Sequence, residues 1–315
     1  MFVDYKYRTY IREKLQLDSN PAILAAAYEN ENLQQQFYHK LGLLAMTVFF
    51  DTSNLEAILT TDEVADLEPD GRCMMDVAKG RLGHGLLECL RDDVHVFIHM
   101  TFAEFLASHF LHSRIKNEEQ VVNPERYLTN FSKAAGSLLR KKEKNNPGLM
   151  IQVLRMYGKG DYEQLLFFLD SFAAASCPLH SAVISGNPLY QRYVNEENLR
   201  ARDDFGRSVL HVAALHGHVD ILKIFPIKES LTVRDRFGMT PLMYLDKLWK
   251  DGHSEKRSLA LRSLDMLCSQ LYDAQVAWDK QLPAISRNIK KERVVLASVL
   301  CHAVMGDFCS LLKVL

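Results

Sequence analysis

The sequence has no long hydrophobic run. The longest, Leu41 to Phe50, is about half of what crosses a bilayer. The opening stretch MFVDYKYRTYIREKL carries charges throughout and lacks the apolar block of a signal peptide. A cytoplasmic protein with no membrane partner is therefore expected. Neither sign of charge is in excess: Lys plus Arg total 38 and Asp plus Glu total 39, so nothing in the net charge calls for nucleic acid. The one dense basic run, Arg140, Lys141, Lys142 and Lys144, overlaps a stretch, KKEKNNPG, that reads as a solvated loop. The cysteines (Cys73, Cys89, Cys177, Cys268, Cys301, Cys309) lack the short-spaced pairs of a zinc ribbon, and reduced thiols are expected.

What is present is enough apolar residue, 48% against 24% charged, to offset chain entropy in a globular protein. At 315 residues the chain is too long for one ordinary core. Helical periodicity dominates, and alternation typical of a strand is confined to short pieces such as Val94 to Ile98. The fold class is mainly α, with seams near Glu29–Asn32, Asp66–Gly71, Lys141–Gly148 and Lys250–Lys256.

One phrase recurs: CPLHSAVISGN from Cys177, SVLHVAALHGH from Ser208, and TPLMYL from Thr240. Its leucines, Leu179, Leu210 and Leu242, are 31 and 32 positions apart. The phrase is mechanical throughout. Asp203-Asp204-Phe205-Gly206 and Asp235-Arg236-Phe237-Gly238 end in a glycine suited to a tight turn. Ser208 and Thr240 can cap a helix, and Pro178 and Pro241 suit its first turn. Ala182, Ala213 and Ala214 allow close approach of neighbouring helices, and Gly186 and Gly217 can end them. Val219, Ile221, Leu222, Ile224 and Phe225 would face inward from a returning outer helix, and Asn187-Pro188 would begin its counterpart one repeat earlier.

Residues 177–245 resemble the ankyrin-repeat family, whose period this is. Worn copies are expected at Met150–Asp170 and Val299–Leu315, with a longer helical insertion across Asp246–Ser298. The resemblance implies a degenerate ankyrin-repeat solenoid over 176–315, preceded by a helical connector over 116–175.

A second phrase, GLLECLRDDVHVFIHMTFAEFLASHFL (Gly85 to Leu111), reads as a strand ending at Ile98 and a helix capped by Thr101 with Glu104 completing the box. Phe102, Phe105, Leu106, His109 and Phe110 fall on one side of that helix. The phrase resembles the end of the winged-helix region in NACHT-type signalling NTPases, which implies a winged-helix-like helical domain over 1–115. The same resemblance would set His99 against a nucleotide phosphate, but only if a NACHT core were supplied. No G-x-x-x-x-G-K-[ST] loop occurs in the chain, so nucleotide binding is not expected of it.

His95, His99, His109 and His112 are the one histidine cluster worth weighing as metal ligands, and no carboxylate or cysteine stands at matching spacing. Ser176, Ser181 and Ser208 belong to repeat caps, and His180 and His211 should hydrogen-bond loop backbone between repeats. No catalytic residue, metal or cofactor is assigned. The expected function is a non-enzymatic scaffold that binds a protein partner of unknown identity through the concave ankyrin face. In that family the concave face comprises the tips and the exposed side of the inner helices. Carried over by position, it comprises Asp204, Phe205, Arg207, Leu215, His216, Arg236, Phe237 and Met239. Phe205 and Phe237 could instead fold back over the neighbouring hairpin. The rival reading is the C-terminal part of a nucleotide-regulated NACHT-type switch whose NTPase core is missing from this chain.

Overall fold

The computed structural model describes residues 6–9, 12, 21–78, 86–89, 95–117, 149–218, 221, 233–260 and 262–263, and these are mainly helical. Among them, residues up to Asn117 cluster with Leu149 and Gln164–Phe172 as one unit, and Met150–Glu163 cluster with the residues from Ala173 onward as a second. The expected worn copy at 299–315 and the insertion beyond Ser263 lie outside the described residues, as do the basic run at 140–144 and Val219, Leu222, Ile224 and Phe225.

The first unit is built on two long helices. Its elements are α1 (Pro21–Tyr28), α2 (Glu31–Phe49), α3 (Thr52–Ile58), α4 (Thr61–Leu67), α5 (Arg72–Ala78), β1 (Leu87–Cys89), β2 (His95–Phe97) and α6 (Met100–Asn117). Asn30 starts α2 by accepting the Asn32 and Leu33 amides at 3.1 and 3.2 Å. That helix buries Phe37, Leu41 and Ala45, and α6 buries Ala103, Leu106 and Phe110. The two approach closely because Gly42 has no Cβ: one placed there would meet Phe110 Cβ at 2.8 Å and the Leu106 carbonyl at 3.1 Å. α4 begins with a capping box, in which Glu63 Oε2 accepts the Thr60 amide at 2.8 Å. The buried Glu63 carboxylate also receives Arg114 from α6 at 2.6 Å.

The expected strand is present as β2, paired antiparallel with β1 so that Phe97 stands opposite Leu87. The cap of α6 differs from expectation. The Thr101 amide donates to His99 Nδ1 at 3.2 Å, so the helix starts at Met100 with His99, not Thr101, supplying the acceptor. An imidazole nitrogen two residues upstream does what a hydroxyl would have done, and hydroxyl-based reading of the sequence passes over it.

The unit is completed by α8 (Glu163–Ala173), whose 164–172 stretch belongs here. Ser108 Oγ lies 2.6 Å from both Glu104 O and Leu165 O, and Phe105 meets Phe168 and Phe172 edge to face.

The second unit contains α7 (Leu149–Met156) from Met150 onward, α9 (Pro178–Ile184), α10 (Glu196–Arg200), α11 (Val209–His216), α12 (Pro241–Asp251) and helical residues 254–260. Proline opens α9 and α12, where no amide hydrogen is needed. Gly217 ends α11 at φ 73°, a left-handed conformation that side chains resist. The helix expected after Asn187 is instead a 3₁₀ segment, Pro188–Tyr193, followed by the short α10. Asn195 interrupts the first by capping the second, accepting the Asn198 amide at 2.8 Å.

Candidate functional site: the tips and inner helices of the repeats

Two successive repeat tips, at 203–207 and 235–239, are closed hydrogen-bonded turns with the same backbone bond. The Asp203 amide donates to Arg207 O, and the Asp235 amide to Met239 O. The buried carboxylates close the turns from inside: Asp203 Oδ1 accepts the Phe205 and Arg207 amides at 3.0 and 2.8 Å, and Asp235 Oδ1 accepts the Met239 amide at 2.9 Å. Gly206 and Gly238, at φ 71° and 72°, make the reversal possible.

Successive tips are joined in two ways. Backbone bonds run from Asp204 N to Ala173 O (3.0 Å) and from Arg236 N to Phe205 O (2.9 Å). Histidines reach forward from the helices: His180 Nε2 lies 3.0 Å from Arg207 O, and His211 Nε2 lies 3.1 Å from both Val233 O and Met239 O. Facing carbonyls, both Nε2 atoms must carry the proton, so each Nδ1 is an acceptor. His211 Nδ1 takes the Ser208 amide at 3.1 Å and the Ser208 hydroxyl at 2.7 Å. Burial pushes the His211 imidazole down to about 3 and lowers that of His180, so both are neutral donors. The expectation that they bond loop backbone between repeats matches these contacts.

A buried polar network lies beneath the tips. Arg207 Nε is 2.7 Å from Asp203 Oδ2, its Nη1 is 3.1 Å from Tyr157 Oη, and its guanidinium lies 5.0 Å from the Phe205 ring centre. The Tyr244 hydroxyl donates to Asp235 Oδ2 at 2.6 Å. Burial raises the Asp235 carboxyl to about 7 against the lowering effect of that bond and of the Met239 amide.

This arrangement corrects much of the expected docking face. Phe205 and Phe237 are 0% and 1% exposed and meet edge to face at 5.4 Å. They fill the space between tips, which is the folded-back alternative. Arg207 is fully buried as the counterion of Asp203, and Met239 is buried at the end of its turn. Leu215 is buried because α11 has no exposed side: every residue from Val209 to Leu215 is buried. These five side chains are interior in this structure and do not line a surface. Asp204, His216 and Arg236 remain partly exposed.

Two residues overlooked in the sequence lie beside them. Arg202 and Arg234 are exposed, occupy equivalent places in consecutive tips, and donate through Nη1 to Gly206 O (3.4 Å) and Gly238 O (2.8 Å). Their signal was the repeated pattern Arg-Asp-x-Phe-Gly, one residue longer than the turn itself.

In the histidine cluster, His99 caps α6 and His109 and His112 pack on aromatic rings, while the His95 side chain lies outside what is described. His109 stacks near Tyr38 and Phe172 and is lowered by burial, and His112 lies on Phe172. Among the described residues no group of three or more His, Cys, Asp or Glu could hold a metal ion, and no helix is long and apolar enough to cross a membrane. The buried Cys73 thiol is pushed up to about 12, mainly by burial, and Cys177 is also raised, which leaves neither a ready nucleophile.

Residues 176–245 match the family of ankyrin repeats, in three copies. No curated protein and no solved structure matches the chain.

Proposed function

We propose that this chain, whose residues 176–245 are ankyrin repeats, works as a non-enzymatic scaffold that holds a protein partner on its repeat tips. Ankyrin repeats generally mediate protein–protein interaction and the proteins that carry them are typically non-enzymatic. The observation that supports this reading is the division of labour within each tip. Phe205, Phe237, Asp203 and Asp235 are spent on holding the turns, while Arg202, Asp204, Arg234 and Arg236 are held outside by fixed backbone. A rigid platform with a replaceable exposed row meets the requirement of low ordering cost on binding. Because α11 is buried from Val209 to Leu215, the tips and not the middle of that inner helix carry the contact.

The test is site-specific photo-crosslinking in cell extract. A benzophenone side chain at position 204 or 236 is expected to capture a discrete protein, and the same group at Gln191, exposed on the 3₁₀ segment, is not. Capture at 191 with none at the tips would refute the reading.

A further inference from the structure

The exposed charges of the two tips are unbalanced. Arg202 and Arg234 are exposed and Arg236 is partly so, whereas Asp203 and Asp235 are buried and Asp204 alone contributes a partly exposed carboxylate. The preceding turn, Ala174-Ala175-Ser176, has no charge. Each outer guanidinium is oriented by its Nη1 bond to its own glycine carbonyl, and Arg236 Nη1 bonds Asp204 O across the junction at 3.1 Å. The result is a row of cations whose direction is set before any partner arrives.

We infer that this row binds an extended acidic segment of the partner, with Arg202 and Arg234 each taking a carboxylate from side chains three residues apart. The inference rests on the docking role proposed above and specifies its chemistry. Neighbouring helical repeats stand about 10 Å apart, and three residues of extended chain cover about 10 Å. Guanidinium groups suit carboxylates because two N–H groups can meet two oxygens in parallel. A single-stranded nucleic acid would want exposed aromatic rings for its bases, and the tip aromatics Phe205 and Phe237 are both buried.

The test uses the full chain and fluorescence anisotropy. The probe is a labelled Ser/Thr peptide with Glu at two positions three residues apart. Comparators carry Gln at both positions, or two adjacent Glu, and an oligothymidine of similar length is a further arm. The spaced Glu peptide is expected to bind best and to weaken with salt. Arg202→Gln with Arg234→Gln is expected to weaken it about tenfold, two exposed charge pairs of roughly 0.7 kcal/mol each. Arg202→Lys with Arg234→Lys, which keeps both charges but gives up the paired N–H groups, is expected to lose part of the binding, less than the Gln variant loses. Equal binding of the Gln peptide, no loss in the Gln variant, preference for the oligothymidine, or an equal loss in the Lys variant would each overturn the inference. If crosslinks at 204 or 236 fall on a partner segment without acidic residues, the docking role stands and this inference fails.

Discussion

Replacing Cys177 by serine should stabilise the repeat unit. His180 and His211 occupy the same place in successive repeats, and both use Nε2 to hold the next turn. Their Nδ1 atoms differ. His211 Nδ1 accepts from Ser208, whereas His180 Nδ1 is buried with no hydrogen-bond partner. The cause is the residue three positions earlier, whose amide goes to Ala174 O at 2.8 Å instead and whose side chain is a thiol. Cys177 stands where the next repeat has Ser208, its thiol points to Arg202 O at 3.4 Å, and it makes no side-chain cap. A serine hydroxyl there can donate to Nδ1 in the geometry that Ser208 already shows. Relief of a buried unsatisfied acceptor is worth about 1–3 kcal/mol, and a helix cap typically adds about 1 kcal/mol. Loss of the thiol's apolar packing and of its bond to Arg202 O opposes them, so a net gain of about 1 kcal/mol is expected, or roughly 2–4 °C in thermal midpoint for a unit of this size. Urea denaturation of the full chain, followed by a probe in the repeats, measures it. A His180→Leu background should abolish the gain. A serine variant no more stable than the native chain, or a gain that persists without His180, would refute the reasoning.

Acid should weaken the repeats. The folded state holds His211 near 3 and lowers His180, so the unfolded chain takes up protons first; that stability is present above about pH 6.5 and is lost as pH falls below it. Asp235, raised to about 7, acts with the opposite sign, so Asp235→Asn should steepen the decline in urea midpoint between pH 7 and 5, and the His211 ring signals should not shift above pH 4.5 in NMR. Gly217→Val should cost about 1–3 kcal/mol from strain at positive φ, with more from a Cβ only 3.0 Å from Leu259 Cδ1, whereas Gly217→Asn should be milder; equal midpoints for both would contradict the turn. Phe205→Ala should lower stability by about 3–5 kcal/mol, as read by thermal denaturation, and a neutral result would return that ring to the surface.

The repeats were legible because their constraints are local. Turn glycine, capping hydroxyl, first-turn proline and small residues each act within a few positions of themselves, and Gly206, Thr240, Pro241 and Ala213 lie where their chemistry requires. What the sequence concealed was non-local. Whether Phe205 faces out or in depends on Phe237, a full repeat away, and Arg207 is interior because Tyr157 and Asp203 surround it. The role of His99 was hidden for another reason: a histidine in front of a helix looks like a site until its Nδ1 is found holding the Thr101 amide.

The chain of forward-reaching histidines does not run on indefinitely. The position filled by His180 and His211 is Met243 in the third repeat, and its sulfur receives the Thr240 amide at 3.4 Å, as His211 Nδ1 receives that of Ser208. A thioether can imitate the accepting side of an imidazole, but it has no hydrogen to offer a following turn. The array therefore has a grammar of attachment. A duplicated repeat spliced in after α9 or α11 would find an imidazole donor ready to clasp it, whereas one appended after α12 would rely on a tip-to-tip backbone bond of the kind that Arg236 N makes to Phe205 O. An added repeat would thus be held by two kinds of bond within the array and by one past Met243.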